Sequence, residues 1–296
     1  MSLFSFLGAI ELGLIYGLVG LAVYLSFRIL HFPDLTVDGS FPLGASVCAA
    51  AILGGLDPIT ATLLAILAGA VAGWITAILA VRFGILHLLA SILVMIALFS
   101  INIRIMGRPN AALLGQTTLF SPFEGLSFLP FDQARILVEL VVVALVTFLL
   151  ARYLNSDQGL ALRATGANPR MARAQGIDTA RQTLSGMALS NGIVALAGAL
   201  FAQANGFADV TMGLGTIVVG LAAVIVGETL FRLKGILGAL IACLLGSLLY
   251  RLVIAFALDV NMLGIEASDL NLVTAVLVGF ALLAPKLRAR MRKAAR

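Results

Sequence analysis

Long apolar runs alternate with short polar stretches along the whole chain. A helix needs about 20 apolar residues to cross a hydrocarbon core about 30 Å thick. The pattern therefore predicts an all-α, polytopic transmembrane helical bundle that forms a single domain over residues 1–296. About nine spans are expected, at residues 8–27, 43–54, 59–81, 85–105, 134–153, 183–204, 213–227, 236–257 and 270–284. Two of these, 43–54 and 213–227, are short, and we expect broken helices there.

The composition indicates that most of the surface faces lipid. Hydrophobic residues make up 61% of the chain and charged residues 11%, with a mean hydropathy of +1.11. Soluble domains average roughly 45–50% apolar and 25% charged residues. The net charge of +5 does not indicate nucleic acid, because the basic residues flank apolar spans. The positive-inside rule places the basic loop 154–182 and the basic tail 286–296 in the cytoplasm. The loops 107–133 and 259–269 and the N-terminus are then expected outside.

Two six-residue segments resemble each other. Residues 32–37 read FPDLTV and residues 207–212 read FADVTM, and each lies between a full-length span and a short one. An odd number of predicted spans separates them, so a genuine repeat would be inverted, as in many transporters. Chance similarity between two turn-like hexamers is the alternative. If the repeat is genuine, the nearby polar residues are candidates for a translocation pathway, with a purely structural role as the other interpretation. They are Asp34, Thr36, Asp38, Gln203, Asn205, Asp209 and Thr211.

The loop 154–182 contains the signals of a short helix. Asn168 is a favourable N-cap, Pro169 fits the first helical position, and Gly176 suits the left-handed residue after the C-cap. Such a helix would expose Arg170 and Arg173. Its small or apolar residues, Met171, Ala172 and Ala174, would dock on a neighbour. A basic helix at the inner surface suits a soluble protein partner, or alternatively anionic lipid headgroups.

This loop also carries a resemblance to a known family. The sequence GANPRMARAQGI at 166–177, followed by an apolar span, resembles the coupling segment of permeases for branched-chain amino acids, ribose and related solutes. The stretches RILHFPDLTVDGSFPLGA and GRPNAALLGQ are similar to the subgroup assigned to tryptophan or tyrosine import. Glu228 replaces the second glycine of a family-like V-x-G-G stretch, so no role is transferred to it.

The resemblance implies the permease subunit of an ATP-binding-cassette importer in the bacterial cytoplasmic membrane. Its solute would be small and amino-acid-like, with aromatic amino acids among the candidates. The implied partners are a cytoplasmic ATPase that binds ATP and Mg²⁺, an external substrate-binding protein, and a second permease copy forming a homodimer. ATPase coupling would fall to Gly166, Asn168, Pro169, Arg170, Met171, Ala172, Arg173 and Gly176.

The sequence shows no sign of chemistry within the chain. It contains no G-x-x-x-x-G-K-[ST] phosphate-binding loop, so ATP hydrolysis would reside in the partner. Neither the two histidines nor the two cysteines have metal-ligand spacing, so we expect no metal site, no cofactor and no catalytic residues. An ATP-independent secondary transporter or channel is the alternative function. It would need a mid-span relay of ionisable residues, and no clustered mid-span carboxylates stand out in the sequence.

Overall fold

The structure, a computed structural model, describes residues 3–123, 131–231 and 233–259, together with Gly279. The predicted span 270–284, the tail 286–296 and nearly all of the loop 259–269 lie outside the described residues. Residues 124–130 of the loop 107–133 lie outside them as well.

Helices form nearly all of the described chain. In order, the elements are α1 (Leu3–Val23), a π-helix (Tyr24–Ile29), α2 (Val37–Leu53), α3 (Pro58–Val81), α4 (His87–Met106), β1 (Asn110–Ala112), a 3-10 helix (Ser121–Phe123), α5 (Phe131–Leu154), α6 (Asp157–Ala167), α7 (Pro169–Ala174), α8 (Thr179–Asn205), β2 (Phe207–Asp209), α9 (Thr216–Phe231) and α10 (Gly235–Asp259). Six described helices are long and apolar enough to cross a membrane, namely α1 with the π-helix, α3, α4, α5, α8 and α10, while α2 and α9 are shorter. The predicted helical membrane bundle is therefore confirmed.

The bundle has two distinguishable ends. At one end lie α6 and α7, and we call this the α7 end. At the other end β1 and β2 pair antiparallel, with Ala111 opposite Ala208, and we call this the hairpin end. Helix α8 begins at the α7 end and finishes at the hairpin end, so its residues give the depth of everything that contacts it.

Helix α3 runs antiparallel to α8. Near the C-terminus of α8, Gln203 donates from Nε2 to the hydroxyl of Thr62, close to the start of α3, at 2.9 Å. Near the start of α8, the carbonyl of Met187 abuts Gly73 of α3, where a side chain would collide with it. Small residues let two helices approach this closely in a membrane protein.

Helix α2 runs parallel to α8. Ser40 donates to Oδ1 of Asn191 at 2.7 Å, and one turn further along both helices Gly44 meets Ala195. A Cβ at Gly44 would collide with the carbonyl oxygen of Ala195. Because α2 begins at the middle of α8, it runs from mid-depth toward the hairpin end.

The first short span differs from its predicted bounds of 43–54. Helix α2 begins six residues earlier, at Val37, although Asp38, Gly39 and Pro42 resemble turn residues. Pro42 lacks the N–H that would bond the Asp38 carbonyl, and Gly213 approaches that carbonyl so closely that a Cβ would collide with it. With 17 residues the helix is about 25 Å long, still short of a full crossing.

The second short span, predicted at 213–227, is Thr216–Phe231 with 16 residues. Its start lies beside Asp38, which accepts a hydrogen bond from the N–H of Ile217. Its last turns reach the α7 end, where Glu228 pairs with Arg28 at 2.9 Å. The two short helices therefore begin close together at mid-depth and run toward opposite ends, which is the opposed arrangement expected of an inverted repeat.

Candidate functional site

Asp38 joins the two short helices. It lies in the first turn of α2, and its carboxylate accepts hydrogen bonds from the backbone N–H groups of Ile217 at 2.8 Å and Gly215 at 3.2 Å. These N–H groups belong to the start of α9, where helical donors have no partner within their own helix. A carboxylate is also favourable at this positive end of the helix dipole. Asp38 of α2 therefore acts as an N-terminal cap for α9.

Asp34 and Thr36 lie in a buried polar network beneath this contact. The carboxylate of Asp34, 2% exposed, accepts from the side-chain amide of Asn191 at 2.7 Å and from the N–H of Thr36 at 2.9 Å. The hydroxyl of Thr36, which has no exposed surface, lies 2.8 Å from that of Thr76. The network ties the break before α2 to α3 and α8, and it supplies the polar neighbours that irregular backbone needs at membrane depth.

The two F-x-D-x-T segments have the same local geometry. In each, the aspartate Oδ1 accepts the N–H of the threonine two residues later, at 2.9 Å in the first segment and 2.7 Å in the second. The second segment is at the surface of the hairpin end, where Thr211 is exposed. Partial burial acts to raise the pKa of Asp209, but hydrogen bonds from Thr211 and Asn110 outweigh it and hold that pKa below its usual value.

The remaining two pathway candidates lie near the hairpin end. Gln203 is buried, bonds Thr62, and accepts the N–H of Leu119 at 3.0 Å. Asn205 is exposed and donates to the carbonyl of Phe201 in its own helix. The seven predicted residues thus do not converge on one opening. Fourteen residues of α8 separate the level of Asn191 from Asn205, or about 21 Å along its axis.

A cluster of ionisable side chains near the hairpin end was missed by the sequence reasoning. Arg135 of α5 hydrogen-bonds the carboxylate of Glu11 in α1 and the carbonyl of Ala204 in α8. Glu139, one turn further along α5, has no exposed surface, and neither of its oxygens has a hydrogen-bond partner among the described residues. The sequence prediction concerned carboxylates clustered at mid-span, whereas this cluster lies near the hairpin end, so that prediction stays a prediction. Spacing along the sequence gives no signal of a contact between α1 and α5.

The short helix in the basic loop forms as predicted. Asn168 caps α7 by accepting the N–H groups of Arg170 and Met171, both at 3.1 Å. Pro169 occupies the first helical position, and Gly176 has a φ of +81°, the left-handed conformation that favours glycine. Ala172 is buried at 3% exposure.

The outer surface of α7 differs from the prediction at two positions. Met171 is 57% exposed and Ala174 is also exposed, so neither docks on the bundle. They share the free surface with Arg170 and Arg173, which are exposed as predicted. Of Met171, Ala172 and Ala174, only Ala172 faces the bundle. A helix of six residues has fewer than two turns, so only a narrow side of it contacts its neighbours. The exposed surface of α7 is consequently both basic and apolar.

Helix α6 lies between α7 and the first break, the non-helical segment 30–36 that separates the π-helix from α2. The sequence reasoning did not anticipate this helix. Its N-cap is Ser156, whose hydroxyl accepts the N–H of Gly159 at 3.3 Å. Near its end, Gly166 abuts the carbonyl of Ile29 so closely that a Cβ would collide. Ile29 ends the π-helix, a form that is often found at functional sites. Two residues later, His31 has a φ of +54°, which is unusual for a residue with a side chain.

Comparison with known proteins agrees with this architecture. The chain is 38% identical over 265 residues to a tyrosine transport system permease protein of Clostridioides difficile (strain R20291), covering 90% of this chain and 86% of that protein. It is 37% identical over 282 residues to an uncharacterized protein of Rickettsia prowazekii (strain Madrid E), covering 93% and 95%.

Among solved structures, the chain resembles PsaBC from Streptococcus pneumoniae in complex with Fab. The TM-score is 0.53 at 14% identity, with 94% of this chain and 89% of that chain covered, so this likeness concerns the fold alone. A family model described as the branched-chain amino acid transport system permease component matches residues 5–284. The chain therefore belongs to the family of permease components of branched-chain amino acid transport systems.

Proposed function

We propose that this chain is the membrane-spanning subunit of an ATP-binding-cassette importer, and that it moves an amino acid into the cytoplasm. A separate ATPase subunit, which would bind ATP and Mg²⁺, would dock on α7. The observation that carries the proposal is the surface of α7, where Arg170, Met171 and Arg173 are exposed on a helix capped at both ends. An exposed patch of apolar and basic side chains on a rigid element is typical of a protein interface.

The contacts between α7 and the first break support a mechanical role. A force on α7 would reach α6, and from Gly166 it would act directly on the backbone of Ile29. The chain then leads through Asp34 and Thr36 to Asp38, which holds the start of α9. Because α2 and α9 run toward opposite ends, a shift at their shared start would open one end while closing the other. This is a two-state change biased by partner contacts.

An aromatic amino acid is the solute that we favour. The first-mentioned relative is named for tyrosine transport. Four aromatic rings lie in succession from the bundle interior toward the hairpin end. Tyr16 stacks on Phe41 with ring centroids 5.6 Å apart, Phe41 meets Phe201 edge to face at 5.6 Å, and Phe201 meets Phe207 at 6.4 Å. Aromatic pairs in these geometries attract one another, so the same rings suit an aromatic side chain in transit. An external binding protein would deliver the solute at this end, to a pair of permease copies.

The alternative is a secondary transporter that works without ATP. Its specific support is Glu139, a buried carboxylate with no hydrogen-bond partner among the described residues. Such a group inside a membrane is costly and is a candidate for proton movement. The alternative, however, leaves the exposed basic helix α7 without a use.

The deciding experiment compares ATPase capture with uptake of radiolabelled tyrosine in the same membranes. Ala172→Asp would place a charge where α7 packs on the bundle, and Arg170→Glu would reverse a charge on its free surface. We expect both to reduce ATPase co-purification and uptake together. Arg82→Glu is the control, because Arg82 is exposed at the same end of the bundle but lies after α3.

Energy coupling separates the two functions. Uptake by the proposed importer should persist when an ionophore collapses the proton gradient, provided that ATP is maintained. Uptake that stops with the ionophore, and that is unchanged in Ala172→Asp and Arg170→Glu, would establish the alternative.

A further inference from the structure

A cavity of about 370 Å³ opens at the α7 end, between the π-helix, α6 and the start of α10. The described chain places three side chains with cationic or imidazole groups on its wall, Arg28, His31 and Arg163, together with Tyr24 and Ala167. None of these residues belongs to the exposed surface of α7 or to the polar network around Asp34. The cavity is therefore a separate feature of the α7 end.

The wall of the cavity carries several hydrogen-bond donors. The buried Nε of Arg163 has no hydrogen-bond partner among the described residues. Arg28 donates from Nε to Glu228 at 2.9 Å, which leaves its terminal nitrogens for a further acceptor. A guanidinium group has five donors in a planar fork that matches phosphate geometry. A single anionic group with several oxygens would satisfy the donors on both sides of the cavity.

Several exposed apolar side chains lie beside the cavity. Phe27 precedes Arg28, Phe231 ends α9, and Leu233 and Leu237 flank the lining residues of α10, and all four are exposed. A soluble anion is not stabilised by apolar side chains, whereas the acyl chains of a phospholipid would pack against them beside the headgroup. Basic pockets between membrane helices commonly bind anionic headgroups in this way.

We propose that this cavity binds the headgroup phosphate of an anionic phospholipid, with Arg28 and Arg163 as its principal ligands. Arg163 lies on α6 and Arg28 on the π-helix, the same two elements that meet where Gly166 abuts Ile29. The bound phosphate would therefore hold α6 against the π-helix. This consequence for coupling rests on the proposed function, whereas the binding itself does not.

Binding can be measured on the purified full-length chain in detergent micelles by native mass spectrometry. Phosphatidylglycerol is the probe and phosphatidylcholine the matched lipid without net charge. We expect phosphatidylglycerol to be retained preferentially, and Arg163→Gln to weaken its binding about fivefold, from roughly 1 kcal/mol per basic residue. Ala167→Leu should weaken binding at least as much, because it fills the cavity without changing its charge.

Arg82→Gln is the control, since it removes an exposed arginine at the same end but outside the cavity. An equal loss in Arg82→Gln and Arg163→Gln would mean general surface attraction and would overturn the proposal. Equal retention of the two lipids would overturn it as well. If inorganic phosphate displaces phosphatidylglycerol at equal concentration, the cavity is a site for free anions and not for lipid. If Arg163→Gln does not fold, Ala167→Leu carries the test, and unchanged binding in that variant refutes the site.

These outcomes are independent of the importer assignment. Loss of lipid binding with normal ATPase capture would separate the cavity from α7. Normal lipid binding in a protein that captures no ATPase would leave the cavity in place and remove the proposed function.

Discussion

Asp38→Ala would remove the side chain that hydrogen-bonds α2 to the start of α9. The carboxylate accepts the N–H groups of Gly215 and Ile217, and hydrogen bonds to a charged group contribute about 1.5–3 kcal/mol each. Asp38 is partly exposed, so water can replace some of this interaction, and we take the lower value. Two bonds then give a loss of about 3 kcal/mol in the free energy of unfolding.

Asp38→Asn should destabilise the chain less than Asp38→Ala does. Asparagine keeps one acceptor oxygen of similar position, so it should retain one of the two bonds and lose about 1.5 kcal/mol. Asp57 provides a control, because its carboxylate caps α3 by accepting the single N–H of Ile59 at 3.1 Å on an exposed surface. Asp57→Ala should cost about 1 kcal/mol, as ordinary N-caps do.

The measurement is unfolding of the purified chain by reversible titration with denaturing detergent, followed by the fluorescence of Trp74. Trp74 lies on α3 and is the single tryptophan of the chain, so its signal reports on the bundle and not on Asp38 directly. The expected order of loss is Asp38→Ala, then Asp38→Asn, then Asp57→Ala. Equal losses for the alanine and asparagine variants at position 38, or a loss in Asp38→Ala no larger than in Asp57→Ala, would refute the capping role of Asp38.

Three further outcomes are expected. Gly44→Ala should prevent normal folding, since its Cβ would collide with backbone. Gly8→Ala should be silent, because no atom of the described residues lies within 4 Å of a Cβ added there. The yield of detergent-resistant protein measures both. Thr211 is exposed, so a cysteine placed there should react with a charged thiol reagent. Thr36 is fully buried, so a cysteine placed there should stay protected in this conformation. Reaction at position 36 in every nucleotide state would contradict the burial. Glu139→Gln should keep the free energy of unfolding within about 1 kcal/mol of the unsubstituted chain, because no described hydrogen bond is lost. ATP-driven uptake should continue in this variant. Loss of uptake with retained stability would favour the proton-coupled alternative.

The α7 region shows how far local signals reach. Asn168, Pro169 and Gly176 lie within a few residues of the backbone groups that they satisfy, so the sequence alone predicts the helix and both of its ends. The same signals occur for α6 in Ser156 and Asp157, but the stretch lacks a strong apolar period, so the sequence pattern predicts a loop there. Met171 shows the limit, because local sequence does not reveal which side of a short helix faces a neighbour.

The pathway candidates show a different limit. The repeat of F-x-D-x-T predicts two similar turns, and both form. The repeat does not distinguish the buried Asp34 from the more exposed Asp209. In this conformation the hydroxyl of Thr76 and the packing of α3 enclose Thr36, and its place on a pathway stays a prediction. The enclosing residues come from another span.

The sequence by itself determined the membrane class, the approximate spans and the capped basic helix. Each follows from the length of an apolar run or from residues that act on their immediate neighbours. Only the tertiary structure decided that Asp38 caps α9, that Asp34 pairs with Asn191, and that Arg135 reaches Glu11. The reason is physical: a membrane helix is apolar on its lipid side and its packed side alike. The hydrophobic pattern therefore fixes how long a helix is, and its rotation against its neighbours is fixed by close packing at glycines and by the pairing of buried polar groups.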